Sequence, residues 1–303
     1  MSKYQVCVFV NGETSAFFDC TIGVRQGDNL SPFLFSLYLN DLEDFLRSQN
    51  VNGITCDTKP TNDIDRAVMF FKLFVFLYAD DTALVAESAK DLQYALNTFK
   101  IYCTTWKLTV NISKTKVIVF GKGRMPKNIA FSYDEIPLEV VNNYKYLGIY
   151  FTRTGSFHVT IKHIYEQANK ALTTLLRNIH DLQLNIDLQI NLFDKMIKPI
   201  LLYACEIWGF SNCKLLEKVQ LRFLKSIFNL KSSTPNIFVY GEYGVYPIEI
   251  DIQARMVSFW TKLVSENESN KVSSILYQFM YAEYRTEASA WLNCVKNILI
   301  KCG

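Results

Sequence analysis

The stretch Leu73–Ala86, LFVFLYADDTALVA, places two adjacent aspartates, Asp80 and Asp81, between two short apolar runs. Such runs are typical of buried strands, so the stretch predicts a β-hairpin with the aspartate pair at its tip. Neighbouring carboxylates repel each other and are costly to bury. A structural turn would favour Asn-Gly or Asp-Gly, whereas carboxylates on a tight turn suit Mg²⁺. A plain surface turn and a metal site are both open interpretations of this stretch by itself.

The composition of the chain limits its class. Half of the 303 residues are hydrophobic, which predicts a folded protein with room for two domains. The longest apolar run, Val68–Ala79, is interrupted by Lys72 and is too short to span a membrane. The N-terminus does not resemble a signal peptide, and the eight cysteines form no Cys-x-x-Cys pair. We therefore expect an intracellular protein of undetermined compartment with reduced cysteines, no zinc site and no membrane partner.

The charge is divided unevenly along the chain. Residues 1–100 carry 8 Lys and Arg against 13 Asp and Glu, a net charge of −5. Residues 101–303 carry 24 against 16, a net charge of +8. This division suits a metal-holding region joined to a region that binds a polyanion, although solvated surface charge would produce the same division.

The segments around the aspartate hairpin predict further short-range structure. YQVCVFVNGETSAFF, residues 4–18, has an Asn-Gly turn between apolar runs and predicts a second hairpin. One helix is expected from Pro32, after the N-cap candidate Ser31, to about Arg47. Its predicted apolar stripe consists of Leu34, Leu37, Tyr38 and Leu42. A second, amphipathic helix is expected over residues 92–106, started by a Ser88/Asp91 capping box.

The predicted secondary structure changes from short strands to helices in the second half of the chain. KLTVNISKTKVIVFGKG, residues 107–123, predicts two short strands around a lysine-bearing turn, and NYKYLGIYFTRTG, residues 143–155, predicts a strand and a turn. Beyond Gly155 the apolar residues repeat at helical spacing over residues 161–179, 188–197, 215–230, 250–264 and 291–300. We therefore predict two domains, residues 1–154 and residues 155–303.

Several motifs in order carry a resemblance to a known family. GVRQGDNLSPFLFSLYLNDL (23–42), YADD (78–81), LTVNISKTKVIVF (108–120) and YKYLGIYFTRTG (144–155) resemble the successive motifs of reverse transcriptases of the non-LTR, LINE-type retrotransposons. FDKMIKPILLYACEIWG (193–209), LEKVQLRFLKSIFNL (216–230) and STPNIFVYGEYGVYPIEI (233–250) resemble the thumb region of that branch. The resemblance implies an α+β fold: a partial palm, with an antiparallel sheet and packed helices, followed by an all-α thumb and a C-terminal helical region.

The resemblance also implies roles for individual residues. Asp80 and Asp81 match the catalytic aspartates that hold metal, and Lys114 matches a lysine near the triphosphate. Expected substrate contacts come from the loop residues Gly23, Arg25, Gln26 and Gly27, from Tyr78 near the primer terminus, and from the primer grip Tyr146, Leu147 and Gly148. Plainer interpretations stay open: a turn for the glycines, surface charge for Arg25, edge charges for Lys114 and Lys116, and core packing for Tyr146 and Leu147.

A basic stripe in the helical half points to nucleic acid. Lys214, Lys218, Arg222 and Lys225 are spaced to lie along one helix face, and Leu216, Val219, Phe223 and Ile227 occupy another. Lysines and arginines in such a stripe neutralise phosphates without reading sequence. We predict nucleic-acid binding through Lys218, Arg222 and Lys225; the alternative is the ordinary solvated face of a helix.

Together these features predict an RNA-directed DNA polymerase fragment that carries out two-metal nucleotidyl transfer. Its expected partners are an RNA template, a DNA primer, deoxynucleoside triphosphates and Mg²⁺, besides upstream palm, fingers and endonuclease regions of a full-length element. The family's palm needs a further aspartate upstream, and Asp19 is an ordinary strand-end charge that does not replace it. We therefore expect the isolated chain to be nearly inactive. The alternatives are a non-catalytic nucleic-acid-binding remnant and a globular protein with an incidental Asp-Asp turn.

Overall fold

The computed structural model describes residues 4–20, 30–57, 70–73, 75–78, 81–124, 129–265, 272–284 and 289–302. The chain divides into two compact units. The first unit comprises Met1–Thr55, Phe71–Thr115 and Ile129–Leu138; the second comprises Cys56–Phe70, Lys116–Asn128 and Glu139–Gly303. The predicted domain boundary between residues 154 and 155 stays a prediction.

The strands are short and lie mainly in the first half of the chain. They are β1 (Tyr4–Val6), β2 (Phe9–Val10), β3 (Glu13–Thr14), β4 (Phe18–Cys20), β5 (Ile54–Asp57), β6 (Phe70–Leu73), β7 (Val75–Tyr78), β8 (Asp81–Leu84), β9 (Lys116–Val117), β10 (Phe131–Tyr133), β11 (Ile136–Val140), β12 (Asn143–Tyr146) and β13 (Ile149–Thr152). These described strands pair as β1–β4, β2–β3, β5–β6, β7–β8, β10–β11–β9 and β12–β13. The β9–β11 pair is parallel, and the other pairs of known register are antiparallel.

The described residues form helices in both units, and most of these helices belong to the second unit. In chain order they are α1 (Ser31–Tyr38), α2 (Leu42–Ser48), α3 (Ala89–Thr105), α4 (His158–Leu182), α5 (Ile186–Met196), α6 (Lys198–Leu201), α7 (Cys205–Trp208), α8 (Lys214–Ile227), α9 (Asn236–Tyr243), α10 (Ile248–Ser265), α11 (Val272–Tyr284) and α12 (Ala290–Cys302). No helix within the described ranges is long and apolar enough to cross a membrane. The predicted α+β class, with helices following small sheets, is confirmed.

The core of the first unit forms between α2 and α3. Leu42, Leu46, Ala95 and Tyr102 are buried there, and the partly buried Leu84 of β8 packs against them. Helix α3 begins as its sequence predicts, because the Ser88 side chain accepts a hydrogen bond of 3.1 Å from the Asp91 backbone N–H. Through Leu84, β8 of the aspartate hairpin packs against the core to which the amphipathic helix α3 contributes Ala95 and Tyr102.

The core of the second unit is built from helical apolar faces. Helix α4 contributes Leu172, α8 contributes Phe223 and α10 contributes Ile252, each almost fully buried. Trp208 of α7 is also fully buried, and its indole N–H donates to the backbone oxygen of Tyr203 at 2.9 Å. The five helices predicted from the 3.6-residue period are all present as α4, α5, α8, α10 and α12, because each has a continuous apolar face to bury.

The expectation of one helix from Pro32 to Arg47 is wrong. The chain leaves the helix after Tyr38 and begins α2 at Leu42. The break buries Leu39 and places the Asp41 carboxylate where it accepts a hydrogen bond of 2.6 Å from the Tyr102 hydroxyl. Leu34 and Leu37 of the predicted apolar stripe are exposed. A tertiary contact with α3 outweighs the continuous helical pattern at this point.

The prediction for residues 107–123 is half correct. Residues 116–117 form β9, whereas residues 108–111 before the lysine turn are not in a strand. The side chain of Asn111 organises this segment by accepting hydrogen bonds from the Ser113 hydroxyl at 2.7 Å and the Lys114 backbone N–H at 3.2 Å. An Asx-type turn of this kind replaces strand pairing locally. The helices α6, α7, α9 and α11 were not predicted.

Candidate active site and nucleic-acid interface

The aspartate hairpin is present as β7 and β8. The two strands pair antiparallel, with Val75 opposite Leu84 and Tyr78 opposite Asp81. Asp81 is exposed at the start of β8. Asp80 and the side chain of Tyr78 lie outside the described residues, so their roles remain predictions. In the described ranges, no group of three or more His, Cys, Asp and Glu side chains is placed to hold a metal ion.

The loop predicted to face the hairpin lies outside the described residues. Gly23, Arg25, Gln26 and Gly27 all lie outside the described residues, so their proximity to the hairpin stays a prediction. Asp19, just before this loop in the sequence, lies in β4 opposite Gln5 and accepts a hydrogen bond of 3.0 Å from the Gln5 side chain. This pairing agrees with an ordinary strand charge at Asp19.

The two lysines of the predicted turn have different surroundings. Lys114 is exposed in the turn that Asn111 organises. Lys116 lies in β9, and its ammonium group is 2.7 Å from the Glu139 carboxylate on β11. Lys116 therefore has the cross-strand role expected of an edge charge. The predicted triphosphate contact of Lys114 stays a prediction.

The predicted primer grip is a tight turn between β12 and β13. Leu147 and Gly148 both have left-handed backbone conformations, with φ of 47° and 82°, as a two-residue type I′ hairpin requires. Leucine is unfavourable in this conformation, so the turn needs support from its surroundings. Tyr146 is half-buried, and its ring lies 6.5 Å from that of Phe151.

Tyr203 supplies that support and was not predicted from the sequence. Its hydroxyl donates a hydrogen bond of 2.9 Å to the backbone oxygen of Leu147. Its ring also covers Gly148 so closely that a Cβ there would lie 2.9 Å from Tyr203 Cε1. Since the two segments lie 56 residues apart, no local pattern could reveal this contact. Tyr203 is therefore a positioning residue for the turn.

The basic stripe of α8 lines an open pocket. Lys218, Arg222 and Lys225 all contribute to its wall, and its volume is about 500 Å³. The remaining wall residues are Leu221, Ser226, Asn229, Leu230 and Ser232, so no carboxylate is among the described residues that line it. Lys218 and Arg222 are exposed and Lys225 is half-buried. The structure thus brings together the three cations that were predicted to contact nucleic acid.

Neutral partners orient two of these cations. The Arg222 guanidinium donates to Asn169 Oδ1 at 3.1 Å and to Thr173 Oγ1 at 3.2 Å, both on α4. The Lys225 ammonium donates to the backbone oxygen of Ser232 at 2.8 Å. Because these partners carry no charge, they hold the side chains in place without cancelling their positive charge.

The inner face of α8 carries a half-buried carboxylate, Glu217, which interacts with the backbone N–H of Ile248, the first residue of α10. One of its oxygens is buried and has no hydrogen-bond partner within the described part of the chain. Burial raises the pKa of Glu217 from 4.5 to about 7, opposed by the Ile248 hydrogen bond and assisted by Glu249. The charge of Glu217, next to the start of α10, therefore changes near neutral pH.

We expect Glu217→Gln to remove a pH-dependent loss of stability. Because the folded-state pKa is raised, the stabilising contribution is complete below about pH 4.5 and is lost as the pH rises to about 7. The variant should therefore be about 1–2 kcal/mol more stable than the wild type at pH 8, with partial exposure limiting the effect. Urea denaturation at pH 5 and pH 8 measures it, with Glu242→Gln, an exposed carboxylate of α9, as control. Equal pH profiles for wild type and Glu217→Gln would contradict the prediction.

Comparison with known proteins agrees with this arrangement of motifs. Residues 2–151 match the family model described as reverse transcriptase (RNA-dependent DNA polymerase). The chain is 27% identical over 243 residues to a Pol polyprotein from the type-1 retrotransposable element R2 of Popillia japonica, covering 77% of this chain and 37% of that protein. It is 24% identical over 233 residues to the RNA-directed DNA polymerase from the mobile element jockey of Drosophila melanogaster, covering 73% of this chain and 23% of that protein.

A third relative has a higher sequence identity over a shorter alignment. The Pol polyprotein from the type-2 element R2DM of Drosophila melanogaster is 33% identical over 153 residues, covering 48% of this chain and 13% of that protein. The chain thus spans well under half the length of these relatives. The family match includes the aspartate hairpin and the primer-grip turn, and the longer alignments also cover much of the helical half. Residues 2–151 of the chain therefore form a reverse transcriptase domain of the non-LTR retrotransposon type.

Proposed function

We propose that this chain forms part of an RNA-directed DNA polymerase that copies an RNA template from a DNA primer with deoxynucleoside triphosphates. The observation that carries the proposal is the pocket lined by Lys218, Arg222 and Lys225 in a chain of the reverse transcriptase family. We further propose that the protein acts inside the cell and without a membrane partner.

The pocket suits the backbone of a duplex. Neutral oxygens hold Arg222 and Lys225, so an arriving phosphate would form charge-assisted hydrogen bonds with little competition from protein carboxylates. The contacts would be to phosphates and would carry no sequence information. Such binding is what a polymerase needs, because the duplex must pass the same surface at every position.

The aspartate hairpin is the proposed metal-holding element. Reverse transcriptases are nucleotidyltransferases that need a divalent metal. Asp81 is exposed at the hairpin, and its hard carboxylate oxygens fit Mg²⁺; we propose that it holds the ion together with Asp80. When bound, the ion would neutralise charge on the phosphates of the incoming nucleotide. The Leu147–Gly148 turn, fixed by Tyr203, would keep the primer end in register.

Replacing Lys218, Arg222 and Lys225 together by alanine is expected to weaken duplex binding by about one to two orders of magnitude at low salt. If each cation contacts one phosphate, the slope of log affinity against log salt should fall by about 2.7, because each contact contributes about 0.9. Fluorescence anisotropy with a labelled RNA–DNA duplex, between about 50 and 200 mM salt, measures both quantities.

The control removes the same charge elsewhere in the second unit. Lys262, Lys296 and Lys301 are exposed on α10 and α12 and do not line the pocket. Their triple alanine variant should bind nearly as well as the wild type, apart from a small general loss of charge. If both triple variants lost affinity equally, or neither did, the pocket would not be the duplex site.

Nucleic-acid binding without catalysis is the second candidate function. The same pocket favours it, since its three cations could bind phosphates without any contribution from the aspartate hairpin. Primer extension on an RNA template with Mg²⁺ separates the two. Extension that Asp80→Asn abolishes would establish the polymerase. Because little extension is expected from the isolated chain, Mg²⁺-dependent nucleotide binding that Asp80→Asn removes would also support the polymerase, and duplex binding with neither property would favour the binding protein.

A further inference from the structure

Two basic side chains meet on the second unit, where β12 of the predicted primer-grip hairpin approaches α4. Lys145 projects from β12 and His163 from α4, and Lys145 Nζ lies 3.1 Å from His163 Nε2. The Tyr150 ring of β13 meets the His163 ring edge-on at 5.1 Å, and Lys145 Nζ lies 5.8 Å from the centre of the Tyr150 ring. Among the residues that the structure describes, no carboxylate lies within ion-pairing distance of either group.

The scaffold holds this arrangement in place. Thr160, fully buried in the first turn of α4, accepts a hydrogen bond of 3.0 Å from the Tyr150 backbone N–H. Its hydroxyl also donates to the Tyr150 backbone oxygen at 2.9 Å. These two bonds fix β13 to α4, so Tyr150 and His163 are positioned before any ligand arrives.

The protonation state of His163 depends on the charges around it. In the ligand-free protein the pKa of His163 is lowered by burial and by the charges of Lys145 and Lys170, while Glu166 raises it. The ring is therefore mostly neutral near neutral pH and accepts a hydrogen bond from Lys145. An anion that contacts both Lys145 Nζ and His163 Nε2 would favour the protonated form of His163. The anion would attract both positive charges and offset the repulsion between them.

We propose that Lys145 and His163 form a phosphodiester-binding site that takes up a proton when the backbone of a nucleic acid binds. The inference rests on the proposed function, since it supplies a second contact for the same duplex. Continuity along α4 favours a polymer over a small anion: Lys170 and Arg177 follow His163 at intervals of seven residues, so they share its face at a spacing of about 10 Å. Both are exposed, and Arg222 contacts the neighbouring residues Asn169 and Thr173.

The first test is the pH dependence of duplex binding at constant ionic strength. The affinity of the wild type for a labelled RNA–DNA duplex should rise as the pH falls from about 8 to about 5.5, by up to about tenfold per unit where the ring takes up its proton. His163→Gln should lose this dependence. His180→Gln is the matched control, since His180 lies on the same helix, is highly exposed and neighbours Asp181. An unchanged pH dependence in His163→Gln would overturn the proposal.

The second test observes the ring directly. The chain contains three histidines, so their NMR signals are assignable with single glutamine variants. Addition of a short duplex should raise the pKa of His163, while the chemical shifts of the His180 ring should change little. Lys145→Met should raise the pKa of His163 in the free protein and reduce the change on binding, because the repelling charge is gone.

The outcomes separate this proposal from the proposed function. Duplex binding that depends on Lys218, Arg222 and Lys225 but leaves His163 unaffected would overturn only the Lys145–His163 site. An absence of duplex binding at every pH would overturn both. A rise in the pKa of His163 with inorganic phosphate and none with duplex would assign the pair to a small anion and overturn the backbone contact.

Discussion

Gly209→Ala is expected to lower the free energy of unfolding of the second unit by about 3 kcal/mol, at the upper end of typical overpacking effects. Gly209 follows α7, and a Cβ there would lie 2.5 Å from Ile252 Cγ2 and 2.8 Å from Met256 Sδ. Both side chains belong to α10 and are almost fully buried, so neither has free space to enter. The same Cβ would lie 2.6 Å from the backbone oxygen of Cys205, which a side-chain rotation cannot relieve.

Gly241→Ala provides the matched control for this substitution. Gly241 lies within α9, and a Cβ at this position meets no atom within 4 Å. Alanine should therefore stabilise the helix by about 0.5–1 kcal/mol through its lower backbone entropy in the unfolded chain. Urea denaturation of both variants beside the wild type measures the difference. If Gly209→Ala were as stable as Gly241→Ala, the close packing of α7 against α10 would be incorrect.

Phe223→Ala is expected to cost about 3–5 kcal/mol of stability. Phe223 is fully buried on α8, and its ring stacks on that of Phe193 of α5 with a centroid distance of 4.3 Å and an interplanar angle of 17°. Truncation would remove this contact and leave a cavity between two helices that cannot close fully. Phe223→Leu retains most of the volume and should cost about 1–2 kcal/mol.

Substitution of Arg222, the neighbour of Phe223, tests whether stability and duplex binding depend on different faces of α8. Arg222 lies next to Phe223 in sequence but is exposed and faces the pocket. Arg222→Ala should cost no more than about 1 kcal/mol of stability, since it loses hydrogen bonds at the surface. It should nevertheless weaken duplex binding, whereas folded Phe223→Leu should bind normally. Denaturation and anisotropy on the same preparations measure both properties, and a reversed pattern would show that the two faces of α8 were misassigned.

Local pattern was sufficient for much of the fold. The aspartate hairpin, the Asn-Gly hairpin, the Ser88 cap and five long helices follow from residues within one or two turns of each other. The physical reason is that turn chemistry, capping and amphipathic period act over short distances along the chain. The order of the motifs also identified the reverse transcriptase family, which the family match then confirmed.

Tertiary contacts decided the remaining features. The break between α1 and α2 exists because Asp41 meets Tyr102, and the Leu147 turn is braced by Tyr203, although each pair is far apart in sequence. The pocket needs Asn169 and Thr173 of α4 to orient Arg222 of α8. The sequence by itself determined which cations share a helix face. Only the tertiary structure decided their neutral partners, the raised pKa of Glu217 and the contact of Lys145 with His163, because burial and close approach depend on distant segments.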